Sequence, residues 1–301
     1  MKQTIRFQDQ DVLLLRNGAA EARIAPQHGG RLLDWQIGGR PLIHWPEQPD
    51  WTHPTKIRGG NPVLFPFLGR HYVDGVLGRW RDGDGTVREV PMHGFARYEP
   101  FALVETADPN EVRMRLVENE RTLPGYPFPF RFEVAYRLGP QSLEAEFLVT
   151  NTGTRPLPYY AGHHFYFEVD HRDRAEWLVE LPFRRTVTGD PVGNMIEGPA
   201  PADTLLSAPE LSDRIHVEPL ASRFSLLHRP DGTGVEIDLA PAESIPWYAV
   251  TTWTEHPDSD FYCVEPWLGL PNAIHHGQGL RRLAPGATEK AVVILRHRPG
   301  A

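Results

Sequence analysis

Only one cysteine, Cys263, occurs in the 301 residues of the chain. A single thiol excludes an intramolecular disulfide framework and any zinc or iron–sulfur site made of several cysteines. Long apolar runs are equally scarce, because the N-terminal segment has only Val12 to Leu15, far short of a signal-peptide core or a membrane span. We therefore expect a protein of the reducing cytoplasm with no membrane partner.

An excess of basic charge is also missing, since 31 Lys and Arg residues face 39 Asp and Glu residues and the net charge is −8. Proteins that bind nucleic acid concentrate Lys and Arg on one stripe or face, where these residues meet the phosphates. This sequence has no such concentration. It predicts no nucleic-acid partner.

Several catalytic signatures are absent as well. The sequence has neither the Gly-x-Ser-x-Gly elbow of serine hydrolases nor a Gly-rich phosphate loop after a strand, and it has no His-Glu-x-x-His zinc motif. The 14 histidines still raise the question of a metal. Local pairs do not answer it, because adjacent residues of a strand point to opposite faces. We expect no metal and no cofactor, although a metal site assembled from distant segments stays open.

Glycine and proline, by contrast, are plentiful and spread over the whole chain, with 27 and 30 residues respectively. No linker stands out, so we predict one domain over residues 1–301. No segment keeps a helical periodicity for several turns. Short stretches typical of strands recur between turn signals instead: "AEARIAP", "RLLDWQIGG", "EVRMRLVEN", "RFEVAYRLG", "SLEAEFLVTN", "RFSLLHRP", "GVEIDLAP" and "KAVVILRHR". This pattern predicts an all-β fold, a large antiparallel β-sandwich.

The alternation of apolar residues is clearest in "RFEVAYRL" and "SLEAEFLV", which the turn-like segment "LGPQS" connects. Every second residue of each stretch is apolar, so each strand has one face for a core. The two stretches are predicted to form a hairpin. Tight turns are also predicted at "RDGDGT" (81–86) and "RPDGTG" (229–234), because Asp-Gly pairs favour them.

Two adjacent histidines lie in "AGHHFYFEVD" (161–170). If residues 162–169 form a strand, His163 lies on an apolar face with Phe165 and Phe167. His164 then lies on the other face with Tyr166 and Glu168, which is polar and suits a solvated cleft. A histidine among aromatic residues is more often a packing residue than a functional one. The alternation nevertheless selects His164 as the candidate for chemistry.

Three further segments contain polar residues in apolar surroundings. "RGGNPVLFPFLGR" (58–70) ends on Arg70, and "EVPMHGFARYEPF" (89–101) has His93 before a glycine. "FYCVEPWLGLPNAI" (261–274) has Glu265 in an apolar strand, where a carboxylate is costly to bury without a partner. Each residue alone could be an ordinary core or surface residue. Together, imidazoles, a carboxylate, a guanidinium and aromatic rings suit proton transfer on a neutral, polyhydroxylated ligand.

Four motifs, "NPVLFPFLGR", "HGFAR", "GHHFYF" and "CVEPWLGLP", have the order and approximate spacing found in the aldose 1-epimerase (galactose mutarotase-like) family, which the chain resembles from about residue 20 to residue 297. The resemblance implies a β-sandwich of the supersandwich type. It also implies interconversion of the α and β anomers of an aldose, with a small sugar as partner. No metal or redox cofactor is required for this reaction.

The resemblance assigns roles to individual residues. It implies that Arg70 binds a sugar hydroxyl and that His93 forms a hydrogen bond near the ring oxygen of the sugar. His164 is the implied general acid and Glu265 the implied general base. Mutarotation needs Glu265 ionised and His164 protonated, and we expect each charge to help maintain the other if the two share a cavity.

An acidic sugar ligand is also implied between the second histidine and Glu265. Asp213 in "LSDRIHVEP" is the best match. Asp190, Asp203 and Asp238 lie in the same interval and stay open as alternatives.

The substrate stays open. "HGFAR" and "RGGNP" are similar to the hexose-6-phosphate epimerase branch, and the chain has Glu168 where the best-known members of the family have Asn. A phosphorylated sugar would need a basic cluster, for which Lys56, Arg58, Arg70 and Arg97 are candidates. The net acidity of the chain favours a free aldohexose.

Two other classes of protein fit parts of the pattern. One is a non-catalytic carbohydrate-binding protein, which would need no matched acid and base. The other is a glycoside hydrolase that uses Glu265 and Asp213 as its two carboxyl groups. The sequence does not decide between a monomer and a homodimer, or give a role to His275 and His276.

Overall fold

The computed structural model describes residues 2–201 and 204–300. Within these residues almost all regular structure is strand. The strands, in chain order, are β1 (Lys2–Phe7), β2 (Gln10–Asn17), β3 (Ala20–Ala25), β4 (Arg31–Ile37), β5 (Arg40–Ile43), β6 (Tyr72–Val73), β7 (Val76–Leu77), β8 (Arg79–Arg81), β9 (Val87–Glu89), β10 (Ala102–Val104), β11 (Glu111–Val117), β12 (Phe130–Leu138), β13 (Ser142–Asn151), β14 (Leu157–Tyr159), β15 (Phe165–Glu168), β16 (Trp177–Val179), β17 (Phe183–Gly189), β18 (Met195–Pro199), β19 (Asp213–Pro219), β20 (Arg223–His228), β21 (Gly234–Asp238), β22 (Ala249–Trp253), β23 (Phe261–Trp267), β24 (Arg281–Leu283) and β25 (Thr288–Arg298).

Helices in the same residues are short. One α-helical turn, α1, covers Ala273–His276. The 3₁₀ turns are Pro26–His28, Pro54–Lys56, Ala96–Tyr98, His171–Glu176 and Pro209–Leu211. No helix within residues 2–201 and 204–300 is long and apolar enough to cross a membrane.

Two large antiparallel sheets dominate the structure. The larger has 11 strands in the order β1-β2-β3-β4-β5-β15-β23-β22-β19-β17-β18, and the other has 8 strands in the order β10-β11-β12-β13-β25-β21-β20-β16. Three two-stranded ribbons, β14–β24, β6–β7 and β8–β9, complete the strand pairing of the described residues. The prediction of an all-β fold made of large antiparallel sheets is confirmed.

The hairpin predicted around "LGPQS" is formed by β12 and β13, with Leu138 opposite Leu143. Its alternating apolar residues are buried on one face, as at Phe132, Tyr136 and Phe147. Each of the eight predicted stretches contains a strand. The segments at 81–86 and 229–234 form the turns of the β8–β9 and β20–β21 hairpins.

The main core contains residues of both large sheets. Phe65, in the loop after β5, stacks on Phe132 of β12 with ring centroids 4.3 Å apart. Phe147 of β13 stacks on His163 at 4.0 Å. The apolar face predicted for the histidine segment is therefore part of the core, because His163 is fully buried there with Phe165 and Phe167.

The strand predicted over 162–169 is shorter than expected, since β15 begins at Phe165. The backbone N–H of His163 donates to the carbonyl of Pro266 in β23 at 3.0 Å. Pro266 has no N–H with which to return the bond, so the ladder is interrupted there. The other face is less solvated than predicted at Tyr166, which is 2% exposed.

Candidate active site

A cleft of about 500 Å³ lies over one face of the 11-stranded sheet. This volume falls within the range that is typical of small-molecule sites. Strands and loops that are far apart in sequence contribute to its walls. All five residues selected from the sequence line it: Arg70, His93, His164, Asp213 and Glu265.

The strand register explains why His164 and Glu265 meet. Phe165 pairs with Val264 across β15 and β23, so extending the register by one residue places His164 opposite Glu265. On the other side of β23, Glu265 pairs with Thr251 of β22. Side chains directly opposite each other in an antiparallel pair lie close together on the same face. The two residues are therefore neighbours although they are about a hundred positions apart in sequence.

A second row of side chains crosses the sheet beside the first. Tyr166 pairs with Cys263, Cys263 pairs with Trp253, and Trp253 pairs with Asp213. The ring of Tyr166 lies 4.8 Å from the ring of His164, in a stacked arrangement. This row forms an aromatic floor with Asp213 at its outer end.

Asn61 fixes the backbone of His164. The N–H of His164 donates to Asn61 Oδ1 at 2.8 Å. The Asn61 amide donates in turn to the Tyr136 hydroxyl at 3.0 Å and to His163 Nδ1 at 2.9 Å. Because His163 Nδ1 accepts this bond, its ring proton lies on Nε2, and burial lowers the pKa of His163 well below its usual range. His163 is thus a neutral packing residue.

The imidazole of His164 faces the carboxyl of Glu265, with 3.4 Å between Nδ1 and Oε1. Burial lowers the pKa of His164 well below its usual value, and the neighbouring His93 and Arg97 act in the same direction. Burial raises the pKa of Glu265 well above its usual value, and the Asp213 carboxylate adds to this. Burial therefore favours the uncharged forms, whereas from the sequence we expected each group to maintain the charge of the other.

His93 is held by the loop that contains Gly69. The backbone N–H of Gly69 donates to His93 Nδ1 at 3.1 Å, and the N–H of His93 donates to the Gly69 carbonyl at 2.9 Å. The proton of the neutral ring then lies on Nε2, which can donate to a ligand. Gly94 follows at φ 77°, where a Cβ would lie 2.0 Å from the Phe65 carbonyl oxygen. Glycine is required there for the close approach that presents His93.

Four basic residues lie on the cleft, and their partners differ. Arg58 forms a bidentate ion pair with Glu255, at 3.0 and 2.7 Å. The guanidinium of Arg97 lies over the ring of Tyr98. Among the described residues, neither Arg70 nor Lys56 nor Arg97 has a carboxylate within ion-pair distance. Their positive charges are free to meet a ligand.

The four candidates for the acidic sugar ligand have different surroundings. Asp213 and Asp190 line the cleft, but Asp190 accepts hydrogen bonds from the backbone N–H groups of Val192 and Asn194 in its own turn. Asp238 is buried and paired with Arg223 and Arg296. Asp203 lies outside the described residues. The side-chain carboxylate of Asp213 has no hydrogen-bond or ion-pair partner in the described part of the chain, so it is the carboxylate that is available to a ligand.

Two features left open by the sequence lie outside the cleft. Glu168 is 2.8 Å from His44 Nδ1 and lines a smaller cavity. His276 belongs to α1, where its Nε2 donates to the Pro271 carbonyl and its Nδ1 accepts from the backbone of Gln278. Both nitrogens of His276 therefore stabilise the turn itself.

Several cleft residues were not selected from the sequence. The most important are Tyr98, Thr251 and Trp253. Asn61, which the sequence did not select either, is buried beside the cleft and holds the backbone of His164. The alternation in "AVTTW" could have placed Thr251 and Trp253 on one face. Nothing local to Asn61 indicates that its amide would hold His164.

Comparison with known proteins places this chain in a family. The family model described as aldose 1-epimerase matches residues 11–296. The chain belongs to the aldose 1-epimerase family. Among curated relatives, protein LacX (chromosomal) of Lactococcus lactis is 26% identical over 249 residues, which are 77% of this chain and 80% of LacX. A Salmonella typhimurium protein named "Putative glucose-6-phosphate 1-epimerase" is 27% identical over 232 residues, which are 74% of this chain and 68% of that protein.

Solved structures show the same fold. Slr1438 from Synechocystis superposes with a TM-score of 0.82 at 24% identity, covering 96% of each chain. A galactose mutarotase-like protein from Lactobacillus casei superposes with a TM-score of 0.81 at 20% identity, covering 95% of this chain and 100% of that one. The prediction that this chain has a galactose mutarotase-like fold is thus confirmed.

Proposed function

We propose that the cleft interconverts the α and β anomers of an aldohexose, with Glu265 as general base and His164 as general acid. The observation that carries the proposal is the buried pair itself, in which His164 Nδ1 lies 3.4 Å from Glu265 Oε1. A protein that only binds sugars has no need for an imidazole and a carboxyl in this arrangement. Membership of the aldose 1-epimerase family supports the same reaction.

In the proposed reaction Glu265 takes the proton of the C1 hydroxyl while His164 donates a proton to the ring oxygen O5. The C1–O5 bond breaks, C1 becomes an aldehyde carbon, and O5 becomes a hydroxyl. Rotation about the C1–C2 bond presents the other face of the aldehyde. The reverse proton transfers then close the ring, and neither a redox change nor a co-reactant is needed.

Burial helps this proton transfer. It lowers the pKa of His164 and raises the pKa of Glu265, so it makes the imidazolium a stronger acid and the carboxylate a stronger base. The two side chains together hold one proton throughout the reaction. His164 carries it before ring opening, and Glu265 carries it afterwards. Ring opening therefore converts a costly buried ion pair into an uncharged pair.

The other cleft residues would bind the sugar. His93 Nε2–H can donate a hydrogen bond near O5, and Arg70 and Asp213, which also line the cleft, can bind hydroxyl groups. Trp253 and Tyr98 offer ring faces for the C–H surface of a pyranose. A neutral sugar is recognised through such hydrogen bonds and apolar contacts.

Polarimetry tests the proposal. Freshly dissolved α-glucose and α-galactose should reach anomeric equilibrium faster with the protein than without it. The variant Glu265→Gln keeps the size of the side chain but cannot act as base, so it should lose at least about 10²-fold in kcat.

Wild-type protein that accelerates the equilibration of neither these sugars nor a hexose 6-phosphate would overturn the proposal. Binding without acceleration would indicate a carbohydrate-binding protein, and release of free sugar from a glycoside would indicate a hydrolase.

A hexose 6-phosphate is the second candidate substrate. Lys56, Arg70 and Arg97 lie on the cleft without a carboxylate partner in the described residues, and a phosphate dianion would satisfy such a cluster. The Salmonella relative is named "Putative glucose-6-phosphate 1-epimerase". If this candidate is correct, kcat/KM for glucose 6-phosphate should exceed that for glucose at low salt, and the ratio should fall with added salt or in the variant Arg97→Gln. Equal values for the two sugars would contradict it.

A further inference from the structure

Three side chains with metal-binding atoms converge at the floor of the cleft. One ligand atom each from His164, Cys263 and Glu265 lies within 4.8 Å of the other two. His164 lies opposite Glu265 in the first row of side chains, and Cys263 lies opposite Tyr166 in the second row. Cys263 and Glu265 are two residues apart on one face of β23. All three are at least nine-tenths buried, with exposed fractions of 8%, 0% and 1%. The sheet itself therefore holds three donors in one place.

The spacing fits a tetrahedral ion. Zinc–nitrogen and zinc–oxygen bonds of about 2.0–2.2 Å require neighbouring donor atoms roughly 3.4 Å apart, and a thiolate ligand extends this to about 3.6 Å. His164 Nδ1 and Glu265 Oε1 are already 3.4 Å apart. The Cys263 thiol lies within 4.8 Å of a ligand atom of each of these two residues, and an approach to about 3.6 Å completes a three-donor face.

One of these donor atoms, His164 Nδ1, and the second carboxylate oxygen of Glu265 are unsatisfied without an ion. Neither His164 Nδ1 nor Glu265 Oε2 has a hydrogen-bond partner in the described residues, although both atoms are buried. Buried polar groups normally have partners, and each exception calls for an explanation. Both residues line the cleft, so the cleft offers an entry path and a fourth ligand position for water.

We propose that His164, Cys263 and Glu265 form a binding site for a divalent cation that binds thiolates, such as Zn²⁺, and that an ion bound there blocks the cleft. The inhibitory part rests on the proposed function, because the ion would occupy the proposed acid and base. The binding part does not. The donor set of one imidazole, one thiolate and one carboxylate selects Zn²⁺ or Co²⁺ over Mg²⁺ and Ca²⁺, which prefer oxygen ligands.

The charges around the proposed site limit its affinity for a cation. Arg97 lies near enough to disfavour positive charge on His164, and it opposes a cation in the same way. Arg58 acts on His164 too, but its charge is offset by the bidentate pair with Glu255. The carboxylate of Asp213 lies near Glu265 and favours the cation.

Cobalt titration tests the binding site without any sugar. Adding Co²⁺ to the wild-type protein should produce the near-ultraviolet absorption band of a cobalt–thiolate bond, saturating at one equivalent. Because the chain has one cysteine, the band identifies the ligand. It should vanish in Cys263→Ser and Cys263→Ala. It should persist in His171→Gln, which alters the other cluster of possible ligands in the described residues, Asp170, His171 and Asp260.

Inhibition by Zn²⁺ tests the functional part. Excess sugar should relieve it, because ion and sugar compete for His164 and Glu265. Cys263→Ser should retain epimerase activity but need ~100-fold or more Zn²⁺ for half-inhibition. No band in the wild type, or a band retained in both Cys263 variants, would overturn the site. Zn²⁺ inhibition unchanged in both Cys263 variants would overturn the inhibitory role. A Cys263-dependent band in a protein without epimerase activity would leave the metal site standing and overturn only the proposed function.

Discussion

The backbone N–H of His164 donates to the side-chain oxygen of Asn61 at 2.8 Å. Asn61 is itself fully buried and is held by the Leu32 carbonyl, which accepts its backbone N–H at 2.8 Å. The position of the proposed general acid is thus set by a residue of another loop. Asn61 replaces the strand partner that His164 lacks just before β15.

Replacing Asn61 by Ala should therefore affect both stability and turnover. It leaves the His164 N–H buried without an acceptor and the Tyr136 hydroxyl and His163 Nδ1 without a donor, which should cost about 3 kcal/mol in the free energy of unfolding. Displacement of His164 should lower kcat by roughly 10- to 100-fold. Urea unfolding and polarimetry measure the two effects. Tyr136→Phe, which removes only one bond of the network, is the control and should have a much smaller effect on kcat. Wild-type values of both quantities in Asn61→Ala would contradict this role.

The two adjacent histidines should respond differently to the same substitution. His164→Asn should lower kcat by ~10²-fold or more with the fold intact, because the proposed acid is lost. His163→Asn should mainly lower the free energy of unfolding, because His163 stacks between Phe147 and Phe165 in the core. Thermal unfolding measured beside steady-state kinetics separates the two. The assignment of roles is wrong if turnover is lost in His163→Asn and kept in His164→Asn.

Asp213 and Asp190 both line the cleft, so the same substitution at each of them can be compared. Asp213→Asn should raise KM for the sugar by about tenfold, as expected for the loss of a charged hydrogen-bond partner. Asp190→Asn should instead lower the free energy of unfolding by about 1 kcal/mol, because Asp190 accepts bonds within its own turn. Equilibrium unfolding and initial rates distinguish these results. A reversal of the two phenotypes would make Asp190 the sugar ligand.

His71 should make stability depend on pH. It is fully buried, and burial lowers its pKa from 6.5 to about 4. Between these values the unfolded state binds the proton more strongly, so the free energy of unfolding is highest above pH 6.5 and falls as the pH falls toward 4. The full loss is about 3 kcal/mol. In His71→Gln, which can still donate to the Val90 carbonyl, stability measured by urea titration should change less over this range. Parallel curves for variant and wild type would rule out this contribution.

Alternation along the chain was sufficient for the strands whose residues pack locally. The β12–β13 hairpin follows from the apolar residues at every second position, and the same rule separated His163 from His164. The rule failed to give the start of β15. That start depends on Pro266, a residue of a distant strand that cannot donate a hydrogen bond.

Residue types and motifs in the sequence determined the all-β class and the family, and they selected five residues that line one cleft. Only the tertiary structure decided which groups are neighbours and how burial acts on them. The pairing of His164 with Glu265, the proximity of Cys263 and the support from Asn61 all depend on strand register and loop packing, which join residues distant in sequence. The protonation of the pair depends on its removal from water, and no local pattern of residues determines that.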